Sequence, residues 1–275
     1  EFNKIIEGSN AIAQNAYYHL AESYINLDKK QEALNAFKNA SEMNFNLNIK
    51  EDAWLNYAKL SYDIGNPYQS TPEVLTFFLE LYPKSPFKIE IESLLIDSYI
   101  SSNNFKEALE LLENKSRSFH KEAYQKVTFY RGLELYNTAN YAEAKKQFDN
   151  SLSSSIDPTF RARATYWRAE TAYQLSNYKA ALDGFRDFKN RRFNIQLDEF
   201  INLDYNLAYT YYKLKAYALA ITSFQAFIAT QPKNSVVLND AFLRLGDSYF
   251  VTTQYSPAID AYKEALKLAK IESDY

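Results

Sequence analysis

Side chains able to run a reaction are few and badly placed for it. The two histidines, His19 and His120, lie far apart in sequence, and there are no cysteines. A histidine or thiolate metal cluster is therefore out of reach, and each histidine reads most simply as a partly exposed helix residue. Ser85-Pro86-Phe87-Lys88 and Ser176-Asn177-Tyr178-Lys179 set a serine three residues ahead of a lysine, the spacing of a nucleophile and its base. The Ser-Asp-Asn and Lys-Thr-Gly companions of that chemistry are missing, and both segments read as turns between helices. No glycine-rich phosphate loop, HExxH or GxSxG occurs. The chain is expected to be no enzyme, with no catalytic residue, no metal and no cofactor.

Recognition chemistry is plentiful instead. The 275 residues include 24 Tyr and 19 Phe, and tyrosine brings large contact area, little rotamer entropy and a hydroxyl. Charge is uneven. Six of the nine arginines, Arg161, Arg163, Arg168, Arg186, Arg191 and Arg192, fall within 161–192, a stretch of net charge +5 in a chain of −3. Such a stretch is either a solvated basic face or an anchor for an acidic peptide. The overall balance gives no general pull toward nucleic acid or an anionic membrane, and no apolar run is long enough to span a bilayer.

Helices must position these residues. Only five glycines occur against abundant Ala, Leu, Lys and Glu. Ala21, Ala58, Ile96, Gly132, Ala169, Ala208 and Gly246 recur at steps of 37, 38, 36, 37, 39 and 38 residues. A fixed period in the thirties marks a helical-repeat solenoid. It gives seven units, 14–47, 51–86, 89–120, 125–158, 162–197, 201–234 and 239–272. With the small residue as position 8, position 20 reads Ala33, Val74, Ala108, Ala144, Ala181, Ala220 and Ala258. Position 24 reads Phe37, Phe78, Leu112, Phe148, Phe185, Phe224 and Tyr262. Small residues at 8 and 20 let the two helices of a unit approach, and the ring at 24 fills the wider gap toward the next unit. Burying one such ring contributes about 1.5–3 kcal/mol, so a lone unit cannot offset its ordering entropy but a stack can.

The prolines fit these units. Pro72 and Pro257 start second helices, Pro67 sits in an enlarged turn of the second unit, and Pro83, Pro86, Pro158 and Pro232 fall between units. Residues 1–13 read as the remnant of a preceding helix, through Phe2, Ile5 and Ile6, and the chain stops after the last unit without a polar cap. A fragment of a longer array is expected, able to associate end to end.

Those columns, with Tyr24, Tyr99, Tyr211 and Tyr249 at position 11, resemble the tetratricopeptide repeat, a helix–turn–helix unit. The resemblance implies an all-α, right-handed superhelix forming one elongated domain over 14–272. It also implies that positions 2, 5, 9 and 12 of each first helix line a concave groove. Carried over, those positions place Phe129, Tyr136, Arg163, Tyr166, Tyr173, Tyr205, Tyr209, Tyr212 and Phe250 on that groove as partner-binding residues. The alternative is that the rings only pack against their neighbours. The Lys and Asn clamp of chaperone-binding repeats is not supported, since position 9 reads Glu22, Lys59, Asp97, Leu133, Glu170, Tyr209 and Asp247.

Leu81-Tyr82-Pro83-Lys84-Ser85-Pro86-Phe87 and the segment from Ala241 to Phe250 are similar to repeats of Gram-negative envelope scaffolds. These are the outer-membrane β-barrel assembly lipoprotein and the Tol–Pal coordinator, and the similarity implies a periplasmic location over a cytoplasmic one. The expected function is a protein-interaction scaffold that takes a peptide or partner domain, an acidic one by the arginine stretch, and no nucleic acid. Its rivals are a structural spacer with an empty groove and a regulatory module of a larger protein.

Overall fold

A computed structural model describes residues 8–113, 118–154, 156–191, 197–230 and 235–273. Fourteen α-helices lie among them, paired as helix–turn–helix units. The first helices of the units are α1 (Ala11–Asn26), α3 (Leu47–Ile64), α5 (Lys88–Ser101), α7 (Lys121–Asn137), α9 (Pro158–Gln174), α11 (Leu203–Lys213) and α13 (Ser235–Val251). The second helices are α2 (Lys30–Glu42), α4 (Thr71–Leu81), α6 (Phe105–Leu111), α8 (Tyr141–Ser154), α10 (Tyr178–Asn190), α12 (Tyr217–Ala229) and α14 (Tyr255–Ser273). The fold class is the expected all-α repeat class.

Most first helices start ahead of the sequence-derived unit boundaries, and the caps explain why. Asn10 accepts the Ala13 N–H at 2.9 Å, which starts α1 at Ala11. Asp157 accepts the Thr159 N–H at 2.6 Å, so Pro158 opens α9 instead of lying between units. Unit six departs from this pattern, with a short 3-10 turn, Asp198–Phe200, ahead of α11. Phe2, Ile5, Ile6, Arg192 and Pro232 lie outside the described residues.

The turn inside six of the seven units closes the same way. Position 15 has positive φ in all seven units: Asp28, Asn103, Ala139, Ser176, Lys215 and Thr253 at 56–61°, and Gly65 at 77°. In the first unit the Lys29 N–H reaches Tyr24 O at 2.9 Å and the Asp28 N–H reaches Ile25 O at 3.0 Å. That pair of bonds is a Schellman closure, and it recurs at Asn103–Asn104, Ala139–Asn140, Ser176–Asn177, Lys215–Ala216 and Thr253–Gln254, while Gly65 of the second unit has an extended ψ of 167°.

The helices form two compact units, 1–123 and 124–275. In the first, Ala21, Ala33, Phe37, Ala58, Val74, Phe78 and Leu95 share one core. Gln14, fully buried, ties the turn after α2: its amide donates to Ala40 O and Met43 O at 3.1 and 2.9 Å and accepts the Asn46 N–H at 2.7 Å. His19 is half exposed beside Glu22, whereas the His120 side chain is only 8% exposed, 3.7 Å from the Glu92 carboxylate. His120 is therefore not the partly exposed helix residue expected: it precedes α7 and packs inward.

In the second unit the core runs through Ala169, Phe185, Ala208, Phe224 and Leu245, with a smaller cluster around Phe129 and Phe148. Helices α8 to α14 pack each on the next in chain order. Gly132 shows why position 8 must be small: a Cβ there would sit 2.6 Å from Phe148 Cε1. Gln125, also buried, repeats the role of Gln14. It donates to Asp157 O at 3.0 Å and accepts the Ile156 and Asp157 N–H groups at 2.9 and 2.8 Å.

Candidate partner-binding face

Position 12 of the last four units carries a ring that leans on its own unit's position 17 across the turn. Tyr136 meets Tyr141, Tyr173 meets Tyr178, Tyr212 meets Tyr217 and Phe250 meets Tyr255, with centroids 5.3–5.7 Å apart. The three tyrosines are half-buried and Phe250 is 57% exposed. These rings thus have a packing role and keep part of their surface in solvent.

The other expected groove residues divide sharply. Phe129 is fully buried against Phe148 and Phe160, and Tyr166 is 5% exposed against Phe185 and Phe188. Both are core residues, not groove surface, because position 5 here points at the unit's own second helix and its neighbour. Arg163 does not stand free as an anion anchor. Its Nε lies 2.7 Å from Glu199, a carboxylate 7% exposed in the 3-10 turn, and its guanidinium stacks 4.7 Å above the Phe129 ring. Trp167 Nε1 donates to the same Glu199 oxygen at 3.1 Å. Elsewhere in the basic stretch, Arg168 pairs with Asp149 and Arg191 with Asp187. Arg186 Nε donates instead to the neutral Tyr211 Oη at 3.1 Å.

What the fold does gather is a cleft of about 210 Å3. Glu170, Tyr173 and Gln174 of α9 line it with Tyr205, Asn206 and Tyr209 of α11. Glu170 is its centre. Its Oε1 accepts from Tyr136 Oη at 3.1 Å and Gln174 Nε2 at 3.2 Å, and its Oε2 accepts from Asn206 Nδ2 at 2.7 Å. Burial raises the Glu170 carboxyl above the usual carboxylate range, although the Gln174 and Tyr136 bonds oppose this. Asn206 Nδ2 also donates to Tyr166 Oη at 2.8 Å, so the network crosses three units. Further along, Tyr205 donates to Asp240 at 2.8 Å, Tyr209 donates to the same carboxylate, and Arg244 Nε donates to Tyr209 Oη at 3.2 Å. Burial pushes the Tyr173 phenol up to about 12 and raises Tyr136, Tyr205 and Tyr209 too, so all four stay protonated at neutral pH.

Tyr173, Tyr205 and Tyr209 are therefore brought together on the cleft and Tyr136 is joined to it through Glu170, while Tyr136, Tyr212 and Phe250 lie outside its lining. Sequence reasoning missed Gln174, Asn206 and Asp240 as site residues. It placed Glu170 at position 9 only as a mark against an anion clamp. In the two serine–lysine segments Lys88 lies 3.7 Å from Glu92, and Ser176 Oγ accepts from Tyr178 Oη at 3.3 Å. Among the described residues no group of three His, Asp or Glu could hold a metal ion, and no helix is long and apolar enough to cross a membrane.

Family comparisons agree with the geometry. Models described as tetratricopeptide repeat match residues 14–47, 129–192, 203–234 and 240–269, together more than half of the chain. The units left unmatched, the second and third, are those with the enlarged turn and with Ile96 at position 8. A search of curated proteins gave no match. Among solved structures, a crystal structure of MamA is 16% identical with a TM-score of 0.51, covering 70% of this chain and 97% of that one. YrrB, described as a TPR protein with an unusual peptide-binding site, is 19% identical with a TM-score of 0.50, covering 72% of this chain and 93% of its own. At such identities the likeness concerns the fold alone. These matches support the repeat class and give no support to the envelope-scaffold subclass, or to the cell-envelope location, that the Tyr82–Pro86 turn implied. The chain belongs to the tetratricopeptide repeat family, an all-α solenoid class built here from about seven helix–turn–helix units.

Proposed function

We propose that this protein is a non-enzymatic interaction scaffold that binds a peptide, or an extended segment of a partner domain, on the first-helix face of residues 124–275. The observation that supports this reading is the cleft between α9 and α11, walled by half-buried rings on rigid, mutually hydrogen-bonded helices. A pre-organised face of this kind loses little entropy when a partner docks. The peptide-binding site named for YrrB shows that a protein of similar fold binds peptides. In this reading residues 14–272 act as one repeat array. The chain's net charge of −3 speaks against nucleic acid as the partner.

A spacer reading has its own observation in its favour, the packing of the position-12 rings against position 17. An array of capped peptides with randomised sequences, probed with the labelled protein, separates the two. The scaffold reading expects saturable binding that Tyr173→Ala weakens about tenfold or more, as loss of a central aromatic anchor does, with the far-ultraviolet circular dichroism unchanged. A spacer would bind no peptide, and Tyr173→Ala would lower its unfolding midpoint.

A further inference from the structure

We propose that the cleft between α9 and α11 receives the cationic side chain of a partner peptide, lysine or arginine. This rests on the scaffold reading above and names what its central pocket selects. The direction in which each polar group is committed carries the choice. Gln174 Nε2 is spent on Glu170 and on Tyr136 Oη, at 3.2 and 3.3 Å. Asn206 Nδ2 is spent on Glu170 and Tyr166, at 2.7 and 2.8 Å. A carboxylate can only accept, so these contacts fix the amide nitrogens toward Glu170 and leave the amide oxygens for a guest. Three tyrosine hydrogens are spent as well, Tyr136 on Glu170 and both Tyr205 and Tyr209 on Asp240, while the Tyr173 hydroxyl stands apart from these bonds. The lining therefore offers a guest acceptors, ring faces and a carboxylate, and few donors.

Charge points the same way. Each of the other carboxylates in this network has a cation: Glu199 has Arg163 at 2.7 Å, Asp240 has Arg244 at 3.6 Å and Asp247 has Arg244 at 2.8 Å. Glu170 is held among the described residues by neutral donors alone. A half-buried carboxylate without a counter-ion favours a cation over any neutral or anionic guest. Tyr173, Tyr205 and Tyr209 present aromatic rings at the same cleft, and such rings attract a desolvated ammonium or guanidinium through their negative faces.

The test uses the whole chain and capped peptides with randomised flanks around one fixed central residue: arginine, lysine, norleucine or glutamate. Binding is followed through the Asn206 and Gln174 side-chain amide resonances. Arginine and lysine peptides should bind at least tenfold tighter than norleucine peptides, and glutamate peptides weakest. Glu170→Gln should erase the difference between arginine and norleucine while the helical signal holds. Should that variant fail to fold, the order of preference in the unaltered protein decides alone. Norleucine or glutamate peptides binding as tightly as arginine, with Tyr173→Ala weakening them all, would overturn the cation pocket and leave the scaffold standing. Binding by none of the four sets would remove both.

Discussion

A left-handed residue closes the first helix of six units, and the chain fills that place with Asp, Asn, Ala, Ser, Lys and Thr. For a side chain other than glycine this conformation costs about 1–2 kcal/mol, and a β-branched residue tolerates it worst. Glycine would return part of that gain as unfolded-chain entropy, about 0.5–1 kcal/mol. Thr253→Gly should therefore stabilise by about 0.5–1 kcal/mol, read as a higher urea midpoint at unchanged slope; an unchanged or lower midpoint would mean Thr253 bears no strain. Glu170 gives a second expectation. Burial raises its carboxyl in the folded protein, so the folded state holds a proton that the unfolded chain has already released. Its contribution is most favourable below the unfolded value and is lost as pH rises toward the folded one. Melting temperatures between pH 4 and pH 7 should fall for the natural chain relative to Glu170→Gln, and parallel profiles would refute the assignment. Tyr136, Tyr173 and Tyr205 were legible in the sequence because rings recur in their columns, whereas Tyr209 stands alone at position 9. Glu170, Gln174 and Asn206 were not, since their meaning depends on distances among residues 136, 166, 170 and 206, and no column repeats that set.

Between helices, the readable part was the packing of small against large. Ala or Gly at position 8, Ala at 20 and a ring at 24 are needed in nearly every unit, so the periodic sequence exposes them, and nearly all of them are buried. Phe129 and Tyr166 were misplaced because position 5 was taken from the general pattern, whereas here those rings meet Phe148 and Phe185 inside the core. The left-handed turn residue escaped notice because its six side chains share no chemistry. The buried amide at position 1 escaped for a related reason, since Gln14 and Gln125 have counterparts such as Glu51 and Ile89 elsewhere. Yet Gln125 of α7 clasps the turn between α8 and α9 through three bonds to the backbone of Ile156 and Asp157. Gln125→Ala leaves those groups without a partner and should destabilise by about 1–3 kcal/mol. Gln125→Glu keeps the acceptor and loses the donor, so it should fall between the two in chemical denaturation. Equal midpoints for all three proteins would show that water replaces the clasp at no cost.

Across the molecule, a repeat architecture makes stability a chain of neighbour terms instead of one shared core. Residues 124–275 show this in their contacts, where α8 to α14 each pack on the next helix in sequence. Phe224 is a link in that series: it is fully buried on α12 and its ring lies 5.6 Å from that of Tyr209 on α11. Phe224→Ala should cost about 3–5 kcal/mol locally. In a single cooperative core that loss would speed amide exchange everywhere. In a neighbour-coupled array it should speed exchange in α10 to α14, and leave α1 to α4, with their own core around Phe37 and Phe78, as protected as before. The arrangement bears on function because the cleft residues Tyr205, Asn206 and Tyr209 sit on α11, beside the altered helix. Binding of arginine peptides should weaken in Phe224→Ala through loss of the ordered face, although no cleft residue has changed. Native-state hydrogen exchange with and without peptide measures both effects together: peptide should restore protection chiefly to α9, α11 and α13. Protection restored evenly over all helices would instead show that the chain answers its partner as one cooperative body.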